Sequence, residues 1–110
     1  MAEMQSRHLA VAVDHPAFAG HFPGRPILPG VVLLAEVLEL LLREAPESLG
    51  ARPTVSAVKF LAPVRPGASL EIRWSAPGAQ RLRFEVWRHA EGDPPAGQLA
   101  ASGQLERGPA

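Results

Sequence analysis

The chain has 110 residues, 46% of them hydrophobic, and 11 lysines and arginines balance 11 aspartates and glutamates to a formal net charge of zero. That length fits one domain, residues 1–110, and the even charge leaves no basic stripe to follow phosphates, so no nucleic-acid partner is expected. The absence of cysteine excludes disulfides and thiolate chemistry and suits a reducing, cytoplasmic setting.

Met1 to Val13 lacks the charged-then-apolar order of a signal peptide. The residues His8 to Val13 alternate loosely and predict a first strand, closed by Asp14-His15-Pro16. From Asp14 to Gly30 the chain holds four prolines and three glycines. Proline fixes φ and removes a donor, so this stretch is neither helix nor central strand. Val31 to Glu44 then predicts a helix of about 21 Å, stopped by Pro46 and Gly50. Its apolar residues fall on nearly every face, which predicts a helix surrounded by protein. Glu36 and Glu39 interrupt the run, and it is too short to span a bilayer, so no membrane partner is expected.

The period changes in the second half. Thr54 to Leu61 is a strand candidate, followed by Pro63 and the turn Arg65-Pro66-Gly67. Leu70, Ile72 and Trp74 alternate with Glu71, Arg73 and Ser75, a half-buried strand that Pro77-Gly78 turns around. Leu82, Phe84 and Val86 form the inward face of the next strand. After the connection Glu91–Gly97, the residues Leu99, Ala101, Gly103 and Leu105 supply the last one. The small residues Ala101 and Gly103 leave room for core packing, another backbone or a thin apolar ligand, and core packing is the expected use. One apolar helix followed by antiparallel strands predicts an α+β fold, a curled sheet wrapped around the helix.

The chemistry concentrates in Gly20-His21-Phe22-Pro23-Gly24-Arg25-Pro26-Ile27-Leu28-Pro29-Gly30. No Ser, Thr, Asp or Asn stands at Pro29-Gly30 to cap the helix, so its first amides lack a side-chain acceptor and carry the positive end of the dipole. Gly30 has no Cβ, which lets an oxygen approach its N–H. Such amides polarise a carbonyl and hold an enolate; in other enzymes losing one donor of this kind costs roughly 2.7–4 kcal/mol. His21 lies nine residues earlier. Imidazole accepts and returns protons near neutral pH, so His21 either abstracts a proton beside that carbonyl or hydrogen-bonds the loop backbone.

The stretch Gly20 to Val31 closely resembles the signature of the hot-dog-fold 3-hydroxyacyl-ACP dehydratases of fatty-acid synthesis. Val58-Lys59-Phe60-Leu61-Ala62-Pro63-Val64-Arg65-Pro66-Gly67 is similar to that family's second recurrent segment, and the resemblance covers roughly residues 10 to 106. It implies a hot-dog fold, two sheets joined edge to edge in a homodimer, and active sites at the dimer interface. It implies His21 as catalytic acid/base, the Gly30 N–H as carbonyl donor and the Ile27 carbonyl as the group orienting the imidazole. Phe22, Ile27, Leu28 and Leu34 would line an acyl tunnel, and an acyl thioester on acyl carrier protein, or acyl-CoA, would be the partner. Elimination is proton transfer alone, so no metal or other cofactor is expected.

One position departs. The family places Glu or Asp five residues after the glycine matched by Gly30, reaching the partner subunit's histidine, and here that position is Ala35. Glu36 points about 100° away from the Ala35 direction, whereas Glu39 is about 40° off it and one turn further on. Both are candidate assisting acids, or members of a polar stripe, with Arg43 placed to pair with Glu39. The competing functions are therefore a dehydratase, a non-catalytic acyl-binding or partner subunit, and a hot-dog thioesterase using Glu36 or Glu39 as base. His8, His15 and His89 read as surface histidines without metal-ligand spacing. Arg81, Arg83 and Arg88 are candidates to steer an acidic carrier protein, against the plainer reading of Arg81 and Arg83 as a solvated strand face.

Overall fold

The computed structural model of the protein describes residues 4–16, 27–78 and 80–108, with Pro77 described by its backbone alone. His21 and Phe22 lie outside the described residues. The elements run β1 (Gln5–Ala10), α1 (Gly30–Glu44), α2 (Pro46–Leu49), β2 (Thr54–Phe60), β3 (Ser69–Gly78), β4 (Arg81–His89) and β5 (Gln98–Glu106). The strands form one antiparallel sheet in the order β1-β3-β4-β5-β2. Among the described residues no helix is long and apolar enough to cross a membrane.

Alternation decides which face of the sheet meets the helix. Leu70, Ile72 and Trp74 of β3, Leu82, Phe84 and Val86 of β4, and Ala101 and Leu105 of β5 are buried in one core with Leu33, Val37, Leu40 and Leu41 of α1. Val37 and Leu41 are fully shielded, and burying side chains of this size contributes roughly 1.5–3 kcal/mol each. The helix ends where Pro46 removes a donor: Ala45 adopts φ −138° and its N–H donates to the Leu41 carbonyl at 2.7 Å. Pro46 then opens the short α2, which closes on Gly50 at φ 69°, a conformation glycine takes without steric cost.

Three expectations are corrected. Strand β1 runs over Gln5–Ala10 rather than 8–13. It is an edge strand whose inward positions include Gln5 and Arg7, opposite Trp74 and Ile72, so hydrophobic alternation did not mark its start. Strand β3 continues through Pro77 to Gly78, opposite Arg81, and the turn falls one step later. Leu99 is not inward. A bulge leaves Ala100 between the pairs Val86↔Ala101 and Trp87↔Leu99, which puts Leu99 on the outer face beside Trp87 and buries Ala100 instead. On α1, Val31 is 76% and Leu42 40% exposed, so the described residues of one chain leave part of its apolar circumference open.

The room beside Gly103 is taken from within. Gly103 faces Phe84 across β4 and β5, and a Cβ built there falls inside van der Waals contact of Phe84 Cζ and 3.0 Å from the Ala57 carbonyl oxygen. The aromatic ring replaces the missing side chain. Because Phe84 is itself buried, the ring has nowhere to swing. Gly103→Ala is expected to destabilise the fold by about 1–3 kcal/mol, read as a lower denaturant midpoint.

A polar clamp closes the far end of the sheet. The Arg88 guanidinium grips Asp93 through two bonds, Nη2 to Oδ1 at 2.7 Å and Nε to Oδ2 at 3.0 Å, while its Nη1 donates to the Pro63 carbonyl at 2.7 Å. Arg88 is thus a structural tie rather than a free member of a basic face. Its guanidinium holds the Asp93 carboxyl below the ordinary carboxylate range, assisted by the Ala90 N–H. A depressed folded-state value makes the contribution present above the unfolded value and lost as pH falls through the folded one. Asp93→Asn is therefore expected to lower stability at neutral pH, and the gap to wild type should shrink as urea titrations move into acid below about pH 4.

Candidate functional site

The site is built where the N-terminus of α1 meets the end of β2. Residues 27–29 run into the helix, the Leu28 N–H donates to the Val64 carbonyl at 2.7 Å, and the Pro29 carbonyl accepts from Val32 and Leu33 at 3.0 Å each. The helix starts at Gly30 with Pro29 as its cap and no side-chain cap bond. Among the described residues the N–H groups of Gly30 and Val31 meet no acceptor, as expected for the first amides of a helix.

Beside those amides lies an open, mainly apolar groove of about 370 Å³, lined by Ile27, Leu28, Gly30 and Leu33 on one side and residues 60–64 on the other. Gly30 also lets the Phe60 ring approach. A Cβ at this position would stand 3.0 Å from Cε2 and Cζ of Phe60, so a larger residue would press that half-exposed ring away from the helix start. Phe60 and Leu61 remain 49% and 54% exposed and form an apolar wall open to solvent. The Arg88 tie to the Pro63 carbonyl fixes the opposite bank.

The structure brings Ile27, Leu28 and Gly30 to this groove. Leu34 packs against the core cluster instead. Ala35 and Glu39 are exposed on α1 and share a stripe with Val31 and Leu42; no ion pair joins Glu39 to Arg43 among the described residues. Glu36 has a different neighbour. Its Oε1 accepts from His15 Nε2 at 2.8 Å, with both side chains partly shielded. His15 is therefore not a plain surface histidine.

Sequence reasoning missed Phe60 as a lining residue and His15 as a partner of Glu36. An exposed aromatic ending an edge strand before Leu61 and Pro63 was the available signal for the first. Nothing in the spacing marked the second, since 21 residues separate the pair. On the outer face of the sheet, the guanidinium of Arg73 lies 4.5 Å from the Trp87 ring centroid and pairs with Glu71 at 2.8 Å. Glu71 also meets His89 at 3.3 Å. The Arg73 hydrogen bond holds the Glu71 carboxyl below its ordinary value against the opposing effect of burial. This network lies on the sheet face away from α1.

Comparisons with known proteins follow the same geometry. An uncharacterised protein from Erwinia carotovora subsp. atroseptica superposes with a TM-score of 0.79 at 29% identity, covering 98% of this chain and 85% of that one. The dehydratase heterocomplex ApeI:P from Xenorhabdus doucetiae matches at 0.70 and 24% identity, over 94% of this chain and 85% of that one. An acyl-CoA hydrolase from Staphylococcus aureus, solved with coenzyme A, shares the fold at 0.67 and 19% identity, over 94% of this chain and 62% of that one. The fold is thus the hot-dog fold expected from the sequence. The ApeI-like family model, described as ApeI dehydratase, matches residues 2–103, and the chain belongs to the ApeI-like dehydratase family.

Proposed function

We propose that the protein dehydrates a 3-hydroxyacyl thioester, carried on acyl carrier protein, to the trans-2-enoyl thioester. The observation that carries this is Gly30, whose N–H stands at an uncapped helix start on the floor of an apolar groove. The thioester oxygen accepts from that N–H, which with the helix dipole favours the negative charge that develops there. His21 takes the proton from the α-carbon, the electron pair moves onto the thioester oxygen, and the enolate re-forms the carbonyl as the β-hydroxyl departs. The same imidazole returns its proton to that hydroxyl, so one water leaves and no electrons are gained or lost. Ile27 and Leu28 line the acyl path, joined by Phe22, while Leu34 backs it from the core.

The second subunit is a further copy of this chain, added at β2. That strand is one of the two sheet edges, and with the groove beside it exposes Val55, Phe60 and Leu61. The other edge, β1, shows Gln5, Arg7 and His8 instead. Val31, Ala35, Glu39 and Leu42 of α1 are exposed as well and would be covered by the partner. Glu39 is the carboxylate best placed to assist across the interface, since Glu36 is engaged by His15. We place the protein in the cytoplasm, where a reducing environment matches a chain without cysteine.

A second reading is favoured by Ala35, which leaves the family's acid position empty: an acyl-binding subunit that works beside an active dehydratase, as the ApeI:P heterocomplex makes two-chain assembly a feature of the Xenorhabdus relative. The two readings separate on hydration of a crotonyl thioester, the reverse reaction. Wild type is expected to consume the enoyl absorbance, and His21→Ala to lose turnover by at least about 100-fold with an unchanged circular dichroism spectrum. Equal rates in wild type and His21→Ala contradict the proposal. Ala35→Glu discriminates further: a large gain in rate supports the accessory reading, and an unchanged rate supports a site that works without that acid. Release of free thiol would instead mark a thioesterase.

A further inference from the structure

The pair formed by His15 and Glu36 has no place in the chemistry above, although it joins two segments 21 residues apart at 2.8 Å. Its surroundings say what it does not do. Leu28 and Leu33 line the substrate groove, and the same two leucines line a second, nearly closed pocket with His15, Glu36, Leu9, Val11 and Leu70. Both leucines are buried. The imidazole and its carboxylate thus stand behind the groove wall rather than in the groove, and neither is placed to touch an acyl thioester there.

What the pair does hold is the chain at residue 15. His15 lies six residues before His21, and Ile27 lies six residues after it. The far end is fixed by the bond from the Leu28 N–H to the Val64 carbonyl, directly before the helix start. The near end follows Val11, which is tied to the β2–β3 connection through Ala68 and Gly67, and then reaches α1 through the side chain of His15. Glu36 stands six residues along the helix from Gly30, about 9 Å up its axis. One rigid element therefore carries both the amide that meets the thioester oxygen and the anchor for the segment that bears the imidazole.

We propose that His15 and Glu36 are a positioning pair, which fixes the departure of the His21-bearing segment relative to the Gly30 amide. This rests on the dehydratase reading for its effect on rate, while its mechanical part stands apart from it.

The test combines kinetics with hydrogen exchange on the full-length protein. In thioester hydration, His15→Ala and Glu36→Ala should each lower kcat by about 10- to 100-fold, the range expected for a small misplacement of a reacting group, with KM nearly unchanged. The double variant should be no slower than the slower single one, because both remove the same contact. His15→Gln, whose side-chain amide still donates to Glu36, should recover most of the rate. Deuterium uptake over residues 17–26 should rise in both alanine variants. Loss of rate in Glu36→Ala alone would assign Glu36 to the reaction and overturn the pairing, as would additive losses or an unchanged kcat in both variants. Should wild type show no thioester turnover, the dehydratase reading falls, and unchanged deuterium uptake in the variants would then overturn the positioning role independently.

Discussion

Everything in this molecule depends on the burial of one face of α1 against the inner face of the antiparallel sheet. Leu33, Val37, Leu40 and Leu41 meet the alternating residues of β3, β4 and β5 in a single core. That contact fixes the helix axis, and with it the place where Gly30 presents its amide. A helix of 15 residues is marginal alone in water, so it is the sheet that holds the dipole in position. The aromatic ring of Phe84 over Gly103 and the tie from Arg88 to Asp93 and Pro63 then complete the packing around it.

The same geometry leaves unfinished business. Val31, Ala35, Glu39 and Leu42 form an exposed stripe on the helix, and Phe60 and Leu61 form an exposed wall beside the groove. Exposed apolar surface gathered at one sheet edge is characteristic of an interface. A second subunit there would shield the groove from water and strengthen the helix-end electrostatics at the thioester oxygen. The chain belongs to the ApeI-like dehydratase family, and the exposed groove is the surface that the proposed second subunit would cover.

The sequence was informative where physical rules act locally. Proline and glycine located the helix boundaries, and Pro46 stops α1 where expected. The alternation in β3 and β4 identified the inward residues, because those strands have one dry face and one wet face. Gly30 stood out through the missing cap. Local rules failed where the deciding contact is distant. The edge strand β1 has polar residues on both faces, so its register comes from β3 rather than from its own pattern. The bulge at Ala100, which reverses the side of Leu99, is imposed by the β4–β5 ladder. The helix reads as enclosed from its apolar composition, which cannot show that the described residues leave Val31 and Leu42 exposed. The partnership of Glu36 with His15 bridges two elements whose proximity exists only after folding.

The central claim is that the groove at Gly30 performs elimination from a 3-hydroxyacyl thioester. Its most direct test is intact mass spectrometry of acyl carrier protein loaded with a 3-hydroxyacyl group and incubated with the protein. The acyl arm should lose the mass of one water while the thioester stays joined to the carrier. An acyl arm of unchanged mass, or a carrier returned to its free thiol, would contradict the assignment.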